Sequence, residues 1–175
     1  MEVAVRKAEA LGLDGDAFRE FYEDALPRVH GYFVHRCGGS VSVAEDLTQE
    51  TFIASVDELK KGRRVETPVP WIYGIARHKL LDHYRKQAKS ERLVDPVAEI
   101  GDLVVDASAE QTRERTTEAL AAVPATQRAV LVLCYMDGFS AAEIAAELGK
   151  SVAAVHSLLE RGRAHFKHAY LEGLA

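Results

Sequence analysis

Cysteine is scarce in this sequence. Only Cys37 and Cys134 occur among the 175 residues, far apart and without a CxxC pair. Two isolated cysteines are too few for a disulfide framework or for a zinc site built from thiolates. His165 and His168 share one helix face, but no cysteine lies near them and there is no obvious third donor. We therefore predict no metal site, no cofactor, and two cysteines that act as small core residues.

Long hydrophobic runs and enzyme motifs are also missing. The longest apolar run, Ala129 to Met136, has 8 residues, whereas a membrane-spanning helix needs roughly 18 or more. The first residues mix both charges and contain no apolar segment typical of a secretory signal. The sequence has no GxxxxGK[ST], GxGxxG, GxSxG or HExxH motif. These absences predict a cytoplasmic protein without membrane insertion that is not an enzyme.

Charge is unevenly spread along the chain. The formal net charge is -5, yet residues 60–90 hold 9 Lys/Arg against 2 Asp/Glu, a net +7. Residues 1–59 hold 5 against 12, a net -7, and residues 150–175 hold 4 against 2, a net +2. Exposed charges are largely screened beyond about 8 Å at physiological salt. Two basic segments of an acidic protein can therefore still bind phosphates.

The first half of the chain predicts three helices. Asp16 can cap a helix that Gly38 ends, and Ser42-Val-Ala-Glu45 reads as a capping box for a helix that ends near Lys60. Pro70 is well placed to begin a third helix, Trp71 to about Lys89. Strand signals are nearly absent, so we predict an all-α fold.

Periodicity weakens between Ser90 and about Arg115, where an acidic excess surrounds Pro96 and Gly101. This composition indicates a flexible linker, although a short packed helix within it also fits. The predicted organisation is a tail over residues 1–15, a domain over 16–90, a linker over 91–115 and a second domain over 116–175.

A short capped segment followed by a long one near the carboxyl end matches a helix-turn-helix over residues 140–167. Pro124 can begin a helix that Asp137-Gly138 ends, Ser140-Ala-Ala-Glu143 is a second capping box, and Ser151 can cap a long final helix. The second helix of such a motif can enter the DNA major groove. A plain helical hairpin with a solvated basic face is the alternative interpretation.

The basic segment Lys60 to Lys89 also contains Trp71, Tyr73 and Tyr84. Cationic and aromatic side chains together are typical of proteins that bind unpaired nucleic acid. Asp82 is placed to orient Arg85 by an ion pair. The alternative interpretation is that the aromatic residues belong to the core and the charges only solvate a helix face.

Three blocks of sequence, taken together, resemble the extracytoplasmic-function group of bacterial sigma factors. They are AEDLTQETF (44–52), PWIYGIARHKLLDHYRK (70–86) and the segment from Val123 to Lys167. The resemblance implies two small helical domains, sigma region 2 and sigma region 4, in a promoter-specificity subunit of RNA polymerase. The implied partners are the polymerase core (β′ clamp and β flap), promoter DNA and an anti-sigma factor.

The resemblance also implies three sets of binding residues. The set for the β′ clamp is Asp46, Leu47, Gln49, Glu50 and Phe52. The set that opens the −10 promoter element is Lys60, Lys61, Arg63, Arg64, Trp71, Tyr73, Arg77, His78, Tyr84, Arg85 and Lys86. The set that reads the −35 element is Ser151, Ala153, Ala154, His156, Ser157, Arg161, Arg163 and Lys167.

Four positions, one in the third helix of the predicted first domain and three in the recognition helix, depart from the family pattern. His78 stands where the family often has Asn, and the recognition helix has Ala154, His156 and Leu158 where Thr, Lys and Arg are usual. Two other functions stay open. A sigma mimic would bind an anti-sigma protein without driving transcription, and a stand-alone repressor would need only the helix-turn-helix.

Overall fold

A computed structural model describes residues 15–90 and 109–172. In these ranges helices are joined by short turns, and the all-α prediction is confirmed. A π-helical turn, Val132–Met136, extends the fifth helix. The helices are α1 (Gly15–Arg36), α2 (Val41–Lys60), α3 (Pro68–Ser90), α4 (Ala109–Ala122), α5 (Ala125–Leu131), α6 (Ala141–Leu148) and α7 (Val152–Glu172).

Several helices begin earlier than predicted. Ser40, not Ser42, is the N-cap of α2, and it makes no side-chain capping bond, so the capping box predicted at Ser42 is wrong. Helix α3 begins at Pro68. Helix α4 begins at Ala109, so residues 109–115 of the predicted linker are helical. The rest of that linker, residues 91–108, lies outside the described residues.

Helices α1, α2 and α3 pack together around one apolar core, with α2 against both neighbours. Its fully buried members include Val29 and Phe33 of α1 and Ile72 and Leu80 of α3. Each pair is separated by four or eight positions, which places its members on one side of its helix. Because the buried sides of α2 and α3 face this core, the opposite sides of both helices face outward.

The inner face of α2 is unusual because it buries hydroxyl groups. Thr48 and Thr51 donate to the carbonyl oxygens of Ala44 and Leu47 at 2.6 and 2.7 Å, and Ser55 donates to that of Phe52 at 2.7 Å. A buried hydroxyl without a partner costs about 1–3 kcal/mol. These hydrogen bonds within α2 remove that cost. The small hydroxyl side chains also keep the inner face of α2 narrow.

Helices α4 to α7 form a second group in which α7 packs on α4, α5 and α6. At the crossing of α7 and α5, Gly162 is buried, and a Cβ atom there would lie 3.1 Å from Leu131 Cγ. The glycine therefore permits a close approach of the two helices.

The two domains touch each other. Helix α3 contacts α5 and α6, and α1 contacts α4, and buried residues of both domains form one continuous core cluster. Cys37 is buried in this cluster and Cys134 is half-buried against it, as predicted. No helix within residues 15–90 or 109–172 has the length and hydrophobicity to cross a membrane.

We predict opposite effects of alanine at two helical glycines. Gly162→Ala should lower the free energy of unfolding by about 1 kcal/mol, because overpacking against Leu131 outweighs the gain in helix propensity. Gly74→Ala, in the exposed interior of α3 where a Cβ meets nothing within 4 Å, should raise it by up to about 1 kcal/mol. Urea unfolding of both variants tests this, and equal stabilisation by both would contradict the close-packing account.

Candidate nucleic-acid and polymerase interfaces

The loop between α2 and α3 presents a group of exposed cations. Lys60, Lys61, Arg63 and Arg64 are all exposed. Arg63 pairs with Glu58 at 2.8 Å and Lys60 lies 4.0 Å from Asp57. Among the ion pairs of the described residues, none involves Lys61 or Arg64, so their charges face solvent only.

Two features hold this basic loop in place. Val65 is buried beside Leu59 in a small cluster to which Phe21 and Trp71 also belong. The Trp71 indole Nε1 donates to the Glu58 carboxylate at 3.0 Å, and the same carboxylate oxygen accepts from Arg63. One acidic side chain therefore joins an aromatic ring and a cation that both belong to the predicted −10 set.

Further along α3, the predicted −10 residues differ in exposure. Arg77, His78 and Lys86 are exposed. Tyr73 is half-buried and packs edge-on against Tyr32, with 5.5 Å between ring centroids. The predicted ion pair between Asp82 and Arg85 is present at 2.6 Å.

Tyr84 does not belong to the surface, and its placement among base-stacking residues is wrong for this conformation. The side chain is fully buried and its hydroxyl donates to the Arg36 carbonyl oxygen at 2.9 Å. Burial raises the pKa of Tyr84 well above 10. Tyr84 follows Ile72, Ala76 and Leu80 at intervals of four, and this spacing is the signal that could have identified it as core.

The predicted clamp residues separate into two groups. Asp46, Gln49 and Glu50 are exposed on α2, and Glu50 lies 3.4 Å from Lys79. Leu47 and Phe52 are buried, so their predicted contact with a partner is wrong in this conformation. Phe52 instead packs edge-on against Tyr22, with 4.7 Å between ring centroids.

One exposed residue of this α2 surface was not predicted from the sequence. Ile53 is 62% exposed and follows Gln49 and Glu50 by four and three positions, on the same side of the helix. An exposed isoleucine beside carboxylates gives the acidic surface an apolar centre. The break in the buried periodicity of α2 at position 53 is the signal that could have identified it.

The helix-turn-helix forms as predicted. Ser140 and Glu143 make both bonds of the capping box, and Gly149 ends α6 with a φ of 61°. Ser151 caps α7, because its Oγ accepts from the Ala154 backbone N–H at 3.1 Å. Ile144 of α6 and Val155 of α7 are fully buried, which fixes the angle between the two helices.

The outer face of α7 carries the predicted −35 residues. Ser151, Ala153, His156, Ser157 and Arg163 are exposed, whereas Ala154, Arg161 and Lys167 are half-buried. The Arg161 Nε donates to the Ser157 carbonyl oxygen at 3.3 Å. Val152 and Glu160 are also exposed there, and neither was predicted to belong to this surface. This face therefore offers methyl groups, an imidazole and a carboxylate besides its cations.

Two of the predicted −10 residues of α3, Arg77 and Arg85, also contact the second domain. The Arg77 guanidinium lies 4.2 Å from the centroid of the Phe139 ring. The Arg85 Nε donates to the Glu147 carbonyl oxygen at 2.8 Å, and its NH2 group pairs with the Glu147 carboxylate. The structure thus places Arg77 and Arg85 in contact with the second domain, although Arg77 remains exposed.

Known proteins match both halves of the chain. The family model for Sigma-70 region 2 matches residues 21–90, and that for Sigma-70 region 4 matches residues 113–166. The ECF RNA polymerase sigma factor SigF of Caulobacter vibrioides is 31% identical over 153 residues, which cover 86% of this chain and 84% of that protein. The ECF RNA polymerase sigma factor SigD of Mycobacterium tuberculosis (strain H37Rv) is 33% identical over 169 residues, covering 88% and 79%.

Among solved structures, the sigma factor RpoE of Bartonella quintana, in a complex with the anti-sigma factor NepR, covers 87% of this chain and 95% of its own. Its TM-score is 0.46 at 20% identity.

The helices themselves place the chain among all-α proteins with a carboxy-terminal helix-turn-helix. The relatives, more than 30% identical over most of both chains, define a narrower group. The chain belongs to the ECF RNA polymerase sigma factors, which are DNA-recognition subunits.

We predict that Tyr84→Phe destabilises the protein because its hydrogen bond is removed. The Arg36 carbonyl would be left without this donor, so the free energy of unfolding should fall by about 1–2 kcal/mol. Because the pKa of Tyr84 is raised in the folded state, the wild type should lose stability as the pH rises above 10, and the variant should lose less. Tyr73→Phe is the control. Chemical unfolding between pH 7 and about pH 11 measures both effects; an unchanged pH dependence in Tyr84→Phe would contradict the assignment.

Proposed function

We propose that this chain directs core RNA polymerase to specific promoters, with residues 16–90 opening the −10 element and the helix-turn-helix over residues 140–167 reading the −35 element. The observation that supports the proposal best is the combination, on one member of this family, of a basic aromatic surface, an acidic surface and a separate helix-turn-helix. The chain would supply binding energy and no bond-making chemistry, and would act in the cytoplasm.

The −10 surface would combine phosphate contacts with base stacking. The exposed Lys60, Lys61, Arg63 and Arg64 are placed to follow a sugar-phosphate backbone, and Trp71 and Tyr73 present partly exposed rings beside them. Stacking on aromatic rings and a cationic groove are the two contributions that hold unpaired strands. Arg77, His78, Arg85 and Lys86 would continue this surface along α3, while Tyr84 supports it from the core.

The acidic surface of α2 would bind the β′ clamp. Asp46, Gln49 and Glu50 surround the exposed Ile53, and an apolar centre with a polar rim is typical of protein interfaces. Leu47 and Phe52 would contribute by fixing the helix from its buried side. Separating an acidic surface from a basic one on a small domain lets it join a polymerase and a polyanion.

The −35 surface would use α7 in the major groove. Ala153 and Ala154 are small enough for close approach and can contact thymine methyl groups, and His156 and Ser157 can reach base edges. Arg161, Arg163 and Lys167 would contact phosphates and set the register on the duplex. An anti-sigma factor and the β flap are the further partners that we propose.

Reconstituted transcription tests this function. The purified chain is mixed with core polymerase and a library of promoter fragments, and run-off transcripts that require the chain are expected. Duplex binding without core polymerase, and no transcripts, would instead indicate a repressor. Neither activity, in a chain that still binds an anti-sigma protein, would indicate a mimic.

We predict that the unpaired loop cations determine the salt dependence of single-strand binding. Lys61→Gln/Arg64→Gln should reduce the slope of log affinity against log salt by about 0.7 for each phosphate that the variant no longer neutralises. The control is Arg19→Gln, which removes an exposed cation of α1 outside the proposed surface. Holoenzyme binding to a −10 strand, measured by fluorescence anisotropy over a salt series, checks this; equal slopes for all three proteins would exclude the loop from the DNA interface.

A further inference from the structure

We propose that Glu160 is a specificity-determining residue of α7: its carboxylate accepts a hydrogen bond from the N4 amino group of one cytosine, so the chain prefers cytosine at one position of the −35 element. The inference rests on the proposed function, because it adds a residue and a base to the surface of α7 assigned there to DNA. Glu172, the other acidic residue of α7, ends the helix and is not part of this surface.

The buried side of α7 sets the direction in which Glu160 points. Leu158 and Gly162, two positions before and two positions after Glu160, are both buried, and α7 packs on α4, α5 and α6. Successive residues of an α-helix are turned by about 100° around its axis. Glu160 therefore lies about 160° from both buried residues and points away from the rest of the second domain.

Glu160 lies on the same side of α7 as the residues proposed to reach base edges. It follows His156 by four positions and Ser157 by three, and all three side chains are exposed. Glu160 is also about two turns from Val152, the first residue of α7, and thus in the amino-terminal half of the helix. This end of a recognition helix is the part that contacts bases, so the carboxylate faces the floor of the groove.

The arginines beside Glu160 do not neutralise it. The Arg161 Nε donates to the Ser157 carbonyl oxygen at 3.3 Å, and Arg163 donates to the Tyr135 hydroxyl oxygen at 3.4 Å. In residues 15–90 and 109–172, no hydrogen bond or ion pair includes the Glu160 side chain. Its carboxylate oxygens are therefore available as acceptors to a ligand that approaches this face.

The chemistry of a carboxylate limits what Glu160 can meet in the major groove, because an ionised carboxylate only accepts hydrogen bonds. Guanine presents two acceptors there, thymine an acceptor and a methyl group, adenine a donor beside an acceptor, and cytosine a donor alone. Phosphates repel the carboxylate. Cytosine is thus the base that offers Glu160 a donor without an acceptor next to it.

Cations on the same helix allow a carboxylate to approach DNA. Arg161 and Arg163 lie on opposite sides of Glu160 around the helix axis, at about 100° and about 60° from it. Both are proposed to contact phosphates, which would place Glu160 between the two backbones and over the bases. A carboxylate in this position contributes through discrimination between bases and not through overall affinity.

Two substitutions of Glu160 test the proposal. Core polymerase loaded with the chain is mixed with DNA fragments randomised across the −35 and −10 positions, and the retained fragments are sequenced. The wild type should enrich cytosine about five- to tenfold over the other bases at one −35 position. Glu160→Ala should lose this preference at that position alone. Glu160→Gln should shift it to adenine, because a glutamine amide can bond to both N6 and N7 of adenine.

The matched control is Glu118→Gln, which makes the same change in charge at an exposed position of α4. No ion pair of the described residues includes Glu118, and the residue belongs to none of the proposed binding sets. This variant should keep the preference of the wild type for cytosine. Circular dichroism of all variants checks that their helical content is unchanged.

A shift from cytosine to adenine at one position supports the proposal, because removal of a negative charge alone would strengthen binding to all fragments equally. Identical base preferences in the wild type and both Glu160 variants would overturn the role of Glu160 and leave the proposed function intact. Loss of a preference for a different base in Glu160→Ala would contradict the assignment to cytosine. If the wild-type holoenzyme selects no −35 sequence, the proposed function fails, and the role of Glu160 fails with it.

Discussion

The burial of one side of α3 determines most of what this protein presents to its surroundings. Ile72, Ala76, Leu80 and Tyr84 recur every four residues and are all fully buried, and Tyr84 adds a hydrogen bond to the end of α1. With that side fixed, the rest of the helix can only point towards solvent or towards the second domain. The directions of Arg77, His78, Arg85 and Lys86 follow from this one apolar constraint.

The electrostatics of the first domain depend on the same arrangement. The acidic surface lies on α2 and the basic loop joins α2 to α3, so surfaces of opposite charge occur within one three-helix unit, although the chain as a whole is acidic. At physiological salt the electrostatic effect of each exposed surface is largely screened beyond about 8 Å. A net charge computed for the whole chain therefore describes neither surface, whereas the charge of residues 60–90 describes one of them well.

Local signals in the sequence predicted local structure successfully. The capping box at Ser140, the cap at Ser151 and the ion pair of Asp82 with Arg85 depend on residues three or four positions apart, and all are present. The capping box at Ser42 failed because Ser40 already occupies the N-cap, and a pattern of two residues cannot choose between neighbouring registers. Leu47, Phe52 and Tyr84 belong both to the family motifs and to the buried faces of their helices, and membership of a motif does not by itself reveal burial. The contact between the two domains had no local signal in the sequence, since pairs such as Arg36 with Asp137 depend on the relative orientation of the two domains.

Glu58 shows how one acidic residue can organise a cationic loop. Its carboxylate holds the Trp71 indole and the Arg63 guanidinium at once, through a single oxygen. If Arg63 turns towards another anion, the indole keeps an acceptor that no longer has to be shared, and its hydrogen bond strengthens. A change of partner by Arg63 therefore changes how firmly the hydrogen bond to Glu58 orients the Trp71 ring. The positions of the arginine and the tryptophan are linked through this one carboxylate oxygen.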